Sequence, residues 1–186
     1  MYSLLYDLKP ILHIAEQTPI ELIPFIVGFI FLLIAIKWGK KRHLLSKIEA
    51  SQHLRRLKKI DHPAKQIAYI RKVNPFVFEE MILTAIKKRG HKIIRNKRYT
   101  GDGGIDGQAI IHNKHYLIQA KRYKGHINPK HVIAFAAICK RQNKRGLFVH
   151  TGKTGAKSLQ VAKNTKMEMI SGNRLLNLLM IQSIDE

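Results

Sequence analysis

Three side chains, Asp106, Gln119 and Lys121, have the types and the spacing that phosphodiester hydrolysis requires. A hard divalent ion takes oxygen ligands, so the Asp106 carboxylate and the Gln119 amide oxygen could bind one, with the Ala120 carbonyl completing the shell. Such an ion offsets phosphate charge and lowers the pKa of its bound water. The Lys121 ammonium could position that water or stabilise the anionic transition state. These residues predict a site for a hard divalent ion.

A predicted hairpin, with strands Gly107–Ile111 and His115–Tyr123, must bring these residues together. A two-residue loop at Asn113-Lys114 would place Asp106 opposite Lys121. Because side chains alternate along a strand, all three functional side chains would then share one face. A slip of one residue would remove Asp106 from that face. Taken alone, an aspartate opposite a lysine also fits a structural ion pair, so the hairpin by itself leaves both interpretations open.

A fourth candidate ligand lies on a helix that is expected to begin at Asn74-Pro75, with asparagine as the N-cap and proline in the first position. The helical phase centres an apolar stripe near Phe78. Glu79 then falls at the flank of this stripe, and Glu80 falls on the solvent side. We therefore expect Glu79, rather than Glu80, to face the sheet.

The rest of this domain, residues 74–186, alternates strands and helices in the order αβββαβαβα. The further strands are expected at His91–Asn96, Gly146–Thr151 and Met167–Ile170, and the further helices at Asn128–Arg141, Ala156–Asn164 and Arg174–Ile181. This order predicts an α/β fold with a mixed sheet flanked by helices.

Residues 75–171 resemble the catalytic domain of Mrr-type restriction endonucleases, within the wider PD-(D/E)XK nuclease fold. The matching segments are Phe78-Glu79, Gly101-Asp102-Gly103-Gly104-Ile105-Asp106-Gly107, Gln119-Ala120-Lys121, His150-Thr151-Gly152 and Ser171-Gly172. The resemblance implies Mg²⁺-dependent cleavage of double-stranded DNA, with Glu79, Asp106, Gln119 and Lys121 as site residues. It also implies a restriction-endonuclease-like sheet, and many nucleases of this fold cut as homodimers.

The chain departs from the family pattern in two ways. Gln119 stands where most of the wider superfamily has a carboxylate, a substitution that the Mrr type tolerates. Many Mrr-type enzymes also carry a separate DNA-reading domain, whereas here an apolar segment and a basic linker stand in that place. No specificity for modified bases is therefore carried over. Asp102, between glycines, is expected to be a turn residue.

Candidate DNA-backbone contacts lie at a lysine-rich helix start, at Lys153, Thr154 and Lys157, because a helix N-terminus favours anions. A merely solvated helix start is the alternative. A P-loop is excluded because Ala156 stands where the motif needs glycine. Arg122, which directly follows Lys121, is a further candidate contact.

The charge of the chain favours a polyanionic partner. Lys and Arg number 34 against 12 Asp and Glu, which gives a net charge of +22. Nucleic acid or the anionic inner leaflet of a membrane fits such a balance. The chain has one cysteine, Cys139, which excludes an internal disulfide, suits a reducing compartment and is expected to be packed among apolar neighbours.

The sequence of the N-terminal region predicts a membrane anchor. Residues 20–38 are long and apolar enough for one transmembrane helix, with Trp38 at the expected interface and basic residues directly after it. The positive-inside rule places residues 1–19 outside the cell and everything after Trp38 in the cytoplasm, with the helix in the inner membrane of a bacterial-type cell. A buried helix of a soluble protein is the alternative. Residues 39–73 then form a basic helical linker that Asp61-His62-Pro63 interrupts.

The sequence as a whole predicts a membrane-anchored, Mg²⁺-dependent DNA endonuclease with a role in restriction or defence. A catalytically degenerate, membrane-bound protein that tethers DNA is the main alternative. A nuclease of the same fold that acts on RNA or on DNA junctions is a further one.

Overall fold

The structure is a computed structural model that describes residues 22–96 and 104–180, with the backbone alone for residues 34–43. Two compact units are distinguished, Met1–His43 and Leu44–Glu186. The α-helices are α1 (Ile23–Lys58), α2 (Pro63–Ile70), α3 (Pro75–Lys88), α4 (Pro129–Arg141), α5 (Ala156–Lys163) and α6 (Gly172–Leu179). The strands are β1 (Lys92–Arg95), β2 (Gly107–Ile111), β3 (Lys114–Lys121), β4 (Arg145–His150) and β5 (Met167–Ile170).

The N-terminal region is described only in part. Residues 1–19, expected outside the cell, lie outside the described residues, and so does the start of the predicted span 20–38. Among the helices whose residues are described, none is long and apolar enough to cross a membrane.

The segment predicted as a linker, residues 39–73, contributes to the core of the second unit. Helix α1 ends at Lys58, and α2 begins at Pro63 after the interruption predicted at Asp61-His62-Pro63. The buried side chains of this segment, which belong to the same core cluster as α3, are Ala50, Leu54, Leu57, Ile70 and Val73. The segment therefore does more than link, because part of its apolar side chains pack against the rest of the second unit.

Asparagine caps fix the starts of two helices that position the sheet. The Asn74 Oδ1 accepts a hydrogen bond from the Phe76 N–H at 3.0 Å. The Asn128 Oδ1 likewise accepts one from the Lys130 N–H at 2.9 Å. In both cases proline takes the first helical position, where its missing N–H costs nothing. Both predicted helix starts are confirmed.

The sheet is mixed and has the order β1-β2-β3-β4-β5. Strands β1, β2 and β3 pair antiparallel, while β3, β4 and β5 pair parallel. The predicted mixed sheet flanked by helices is confirmed. Because β3 is the boundary between the two kinds of pairing, its carboxyl end meets both the start of β2 and the carboxyl end of β4.

The hairpin register differs from the prediction. The turn is His112-Asn113, and Ile111 pairs with Lys114, so Gln108 faces Leu117 rather than Gln119. The predicted loop at Asn113-Lys114 and the direct pairing of Asp106 with Lys121 are therefore wrong. The physical reason lies in the turn, because His112 and Asn113 both take positive φ values, 46° and 62°. Such values belong to the two-residue turns that match the twist of a hairpin. The pairing moves by two residues, and Asp106 lies directly before the paired part of β2. That Asp106 shares a face with Gln119 and Lys121 stays a prediction.

Each face of the sheet carries its own apolar cluster. On one face, Ala109, Tyr116, Ile118 and Val149 pack with α3, α6 and the end of α1. On the opposite face, Leu117, Phe148 and Met167 pack with α4, including Phe135 and Cys139. Strand β3 is therefore buried on both faces, as its pattern of buried residues shows.

Candidate functional site

The candidate residues meet at the carboxyl end of β3. Gln119 pairs in register with Phe148, and Lys121 pairs with His150, the last residue of β4. Asp106 directly precedes β2, and its N–H donates to the Ile118 carbonyl at 2.8 Å. The segment before β2 and the end of β3 are thus joined at the residues that the sequence singled out.

Asp106 is held by the backbone of β3. Its Oδ2 accepts a hydrogen bond from the Ala120 N–H at 2.6 Å. The N–H and the carbonyl of one strand residue point toward the same neighbouring strand. The Ala120 carbonyl therefore lies on the side of β3 where Asp106 stands. This arrangement keeps both oxygens, carboxylate and carbonyl, as candidate ligands of one ion.

Gln119 has an unusual environment for an amide. The residue is buried, with 6 % of its surface exposed. Its Nε2 donates to the Gly104 carbonyl at 2.5 Å. The Oε1 atom is buried and has no hydrogen-bond partner among the described residues. A buried acceptor without a partner costs about 1–3 kcal/mol, a cost that a bound cation or water would offset.

Gly104 is required by this arrangement. Its φ is +86°, in the left-handed region. A Cβ at this position would lie 2.7 Å from the Gln119 Nε2. The last glycine before Ile105-Asp106 therefore allows both the turn and the close approach of the Gln119 amide.

The donor set fits a hard divalent ion. The Gln119 Oε1, the Asp106 carboxylate and the Ala120 carbonyl are all oxygens, the ligand type that Mg²⁺ and Ca²⁺ prefer. Within residues 22–96 and 104–180, no three His, Cys, Asp or Glu side chains gather as a metal-binding group. A metal site here would therefore combine the Asp106 carboxylate with amide and backbone oxygens, as the sequence predicts. The assignments of Asp106, Gln119, Ala120 and Lys121 stay predictions.

The two glutamates of α3 are placed differently from the helical-phase argument. Glu80 is 2 % exposed, and its Oε2 accepts a hydrogen bond from the Arg95 Nε at 2.7 Å. Its expected solvent-facing position is wrong, because α3 is covered on more than one side and β1 lies against the flank that carries Glu80. Glu79 is partly exposed, and its role as a ligand stays a prediction.

Residues after β4 fix the end of β3. The Thr151 Oγ1 donates to the Tyr123 carbonyl and accepts from the Tyr123 N–H, both at 2.9 Å. His150 is fully buried, and its Nε2 lies 3.1 Å from the Thr154 Oγ1. Burial lowers the pKa of His150 to about 4, against a smaller opposing effect of the Gly152 backbone. A neutral imidazole therefore stands beside Lys121 in register.

The predicted DNA contacts differ in their accessibility. Lys153 and Lys157 are exposed, before and within the first turn of α5. Thr154 is engaged with His150. Arg122 is partly buried, and its Nη1 donates to the Arg71 carbonyl at 3.0 Å. The Arg71 guanidinium in turn donates to the Thr151 carbonyl, at 2.7 and 3.1 Å.

Two contacts near the site were not predicted from the sequence. His150 was expected in a strand and in a segment that matches the family, but its contact with Thr154 was not foreseen. The hydrogen bonds from the Arg71 guanidinium to the Thr151 carbonyl were not foreseen either. Tyr99 and the Gly101-Asp102-Gly103 part of the glycine-rich turn lie outside the described residues.

One comparison with a solved structure supports the fold. The MspJI restriction endonuclease, solved in complex with a 27-mer oligonucleotide, aligns with a TM-score of 0.50 at 20 % identity. The alignment covers 66 % of this chain and 32 % of that chain, so the protein spans about a third of MspJI. SfsA of Pyrococcus furiosus, solved in complex with Ca²⁺, aligns with a TM-score of 0.37 at 15 % identity, over 51 % of this chain and 54 % of that chain.

Comparison with sequence families is more direct. No curated protein matches the sequence significantly. The family model of the Mrr catalytic domain, described as a restriction endonuclease, matches residues 70–179, which is more than half of the chain. The chain therefore belongs to the Mrr-type restriction endonuclease family.

Proposed function

We propose that this protein hydrolyses double-stranded DNA with Mg²⁺ bound at the end of β3, and that it acts in restriction or defence. The observation that supports the metal most directly is the Gln119 Oε1, which is buried and has no partner among the described residues, beside the Asp106–Ala120 hydrogen bond. A bound Mg²⁺ would offset the charge of the scissile phosphate and lower the pKa of a coordinated water. Mn²⁺ is expected to substitute because it takes similar oxygen ligands.

The residues of the chain hold the parts of this site in place. The Ala120 N–H fixes one oxygen of Asp106. The Gly104 carbonyl fixes the Nε2 of Gln119 and so determines where the Oε1 stands. Lys121 extends from the same face as Gln119, because residues two apart on a strand point to one side. Its ammonium is placed to donate to a water or to a phosphate oxygen.

Contacts to the DNA backbone would surround this centre. Lys153 and Lys157 are exposed on the chain that follows β4, where they can neutralise phosphates. Thr154 is oriented by His150 toward the same region. Arg122 is expected to contribute through the part of its guanidinium that the Arg71 carbonyl does not engage.

Plasmid cleavage by the full chain tests the proposal, with Mg²⁺, with Mn²⁺ and with EDTA. The critical variant is Asp106→Asn, because the amide oxygen can still accept the Ala120 N–H while the ligand charge is lost. We expect metal-dependent cutting by the wild type and a loss of at least about 10³-fold in the variant, the order of magnitude for removal of a key electrostatic group. DNA binding without metal should change less than about twofold.

Four results would contradict the proposal. Cutting that persists in EDTA would exclude the metal, and wild-type rates in Asp106→Asn would exclude the site. Tight, salt-sensitive binding without turnover would favour the tethering alternative, and turnover limited to RNA or junctions would change the substrate. Linear product without a nicked intermediate would support a homodimer in which each copy cuts one strand.

We further propose that the N-terminal region anchors the enzyme to the inner membrane, with its N-terminus outside and the nuclease unit in the cytoplasm. In favour of this, the large apolar side chains between Leu22 and Leu33 are each at least 44 % exposed, around the whole helix. Flotation of the full chain with lipid vesicles tests the anchor. A Phe29→Lys change should release a large fraction of the protein, since a lysine at mid-bilayer costs about 2.5–3.5 kcal/mol. Equal flotation of both forms would argue against it.

A further inference from the structure

A second concave site lies at the end of the sheet opposite Lys121. It is a cavity of about 500 Å³ between the ends of α4 and α5 and the starts of β4 and β5. Its lining residues are Ala136, Cys139, Lys140, Asn143, Lys144, Lys163, Asn164, Thr165 and Lys166. At about 3.3 Å per residue, the six residues of β4 separate this cavity from the catalytic end by roughly 16 Å. The cavity is therefore distinct from the nuclease site.

The charged side chains that line the cavity are all positive. Four lysines line it, and no carboxylate does. The sequence from Gly107 to Met167 contains thirteen Lys and Arg but no Asp or Glu. Glu168, the next carboxylate in the chain, pairs with Arg174 and alternates to the other face of β5 from Met167. The lysines of the cavity thus have no nearby acidic side chain on their own strand or helices to offset them.

Helix ends explain only half of these lysines. Lys140 and Lys163 lie in the last turns of α4 and α5, where a cation compensates the helix dipole. Lys144 and Lys166 lie outside helices, and Lys144 is fixed in place because its Nζ donates to the Gln108 Oε1 at 2.8 Å. Lys144 and Lys166 therefore do not compensate a helix dipole, and Lys144 is already held in position by Gln108.

The inner wall of the cavity is apolar. Ala136 and Cys139 are 7 % and 4 % exposed and belong to the cluster that packs against Phe135 and Phe148. Asn143 and Asn164 add amide groups at the rim. An apolar wall, a few hydrogen-bonding groups and a volume of roughly 300–1,000 Å³ characterise small-molecule sites in general.

We propose that this cavity binds a small phosphate ester of nucleotide size. Its ring would lie against Ala136 and Cys139, and its phosphates would lie among Lys140, Lys144, Lys163 and Lys166. Nucleotides satisfy both halves of the cavity, because they join an aromatic base, with an apolar face and a hydrogen-bonding edge, to a strongly anionic group. The site goes beyond DNA cleavage, since a molecule bound there cannot reach Lys121.

The first test is a titration of the full chain with ATP, adenosine and pyrophosphate in EDTA, so that no metal or cleavage contributes. ATP should bind more tightly than either fragment. The double variant Lys140→Ala and Lys166→Ala removes two exposed charges from the cavity. Its matched control, Lys65→Ala and Lys88→Ala, removes two exposed charges elsewhere. We expect the affinity for ATP to fall about tenfold in the cavity variant and less than about twofold in the control.

A second test reports on the location in the wild type alone. Cys139 is the one cysteine of the chain and lines the cavity. Burial raises the pKa of its thiol to about 11, so alkylation is best followed at alkaline pH. Saturating ATP should slow alkylation at least about fivefold, whereas adenosine at the same concentration should not.

Three outcomes would overturn the proposal. Equal weakening by both double variants would show that ATP responds only to net charge. Unchanged alkylation of Cys139 at saturating ATP would place the nucleotide elsewhere. Absence of ATP binding, together with loss of affinity for a twelve-base-pair duplex in the cavity variant, would assign the lysines to nucleic acid instead.

Discussion

Strand β3 begins and ends with a lysine, and the two ends have different surroundings. Lys114 follows the His112-Asn113 turn, is exposed and pairs with Ile111. Lys121 is partly buried and pairs in register with the fully buried His150. The same residue type is therefore exposed at the hairpin turn at one end of β3 and lies beside a candidate metal site at the other end.

This difference teaches that charge alone does not identify the site. With 34 Lys and Arg residues, the chain offers a cationic group almost anywhere on its surface. The carboxyl end of β3 is distinguished by fixed oxygens, namely the Asp106 carboxylate held by Ala120 and the Gln119 Oε1. A lysine can take part in the proposed hydrolysis where such oxygen ligands lie close to it.

The largest expected effect tests the difference between Lys114 and Lys121 directly. Lys121→Met removes the ammonium but keeps most of the side-chain volume, and Lys114→Met makes the same change at the exposed end. We expect Lys121→Met to lower the rate of DNA cleavage by at least about 10³-fold, because one transition-state charge contact is lost. Lys114→Met should stay within about twofold. Single-turnover cleavage rates at saturating enzyme measure both.

Equal rates for the two variants would show that Lys121 acts as one of many surface charges. A large loss of metal-free DNA affinity in Lys121→Met would instead assign the residue to binding. Thermal unfolding of both proteins checks that neither change acts through folding.

The second effect concerns the pH dependence of stability at the carboxyl end of β4. The pKa of His150 is about 4 in the folded protein, because of burial, and close to 6.5 when unfolded. Between these values the unfolded chain binds the proton more readily, so stability falls as the pH drops from 6.5 toward 4. From pH 7 to pH 5 the loss should be about 2 kcal/mol.

Urea unfolding at pH 7 and pH 5, at one ionic strength, measures this loss. The control is His150→Gln, which cannot titrate and can still bond to Thr154. Its stability should change much less between the two pH values, apart from the contribution of His53, whose pKa is also lowered by burial. An equal loss in both proteins would show that other groups dominate.

Local chemistry made much of the fold predictable. The Asn74 and Asn128 caps, the order of the elements and the strand Met167–Ile170 follow from short-range signals, and the structure has them. The hairpin register was missed because His112 takes a positive φ, which is uncommon for a residue other than glycine. Turn geometry of this kind depends on the twist of both strands, not on the turn sequence alone.

The candidate site was predictable in its residue types but not in its contacts. The glycine-rich turn and Gln119-Ala120-Lys121 indicated which residues meet, and the structure joins Asp106 to Ala120 and Gly104 to Gln119. Glu80 was misplaced because the argument assumed one buried face for α3, whereas Arg95 covers a second. Burial of this kind depends on neighbours distant in sequence, which helical phase does not contain.

The smallest expected effect concerns two glycines, Gly104 and Gly146, which lie at opposite ends of the sheet. Gly104→Ala places a Cβ 2.7 Å from the Gln119 Nε2, at a φ of +86°, whereas Gly146→Ala at the other end of the sheet meets the Cys139 Sγ at 2.8 Å. Gly104→Ala should slow cleavage about tenfold, since a misplaced Oε1 loses roughly 1.4 kcal/mol of transition-state stabilisation. Gly146→Ala should cost about 1 kcal/mol of stability through overpacking and leave the rate per folded molecule unchanged. Cleavage rates and urea midpoints for both proteins separate the two effects. A slow but stable Gly146→Ala would mean that the two ends of the sheet are coupled, which would contradict their independence.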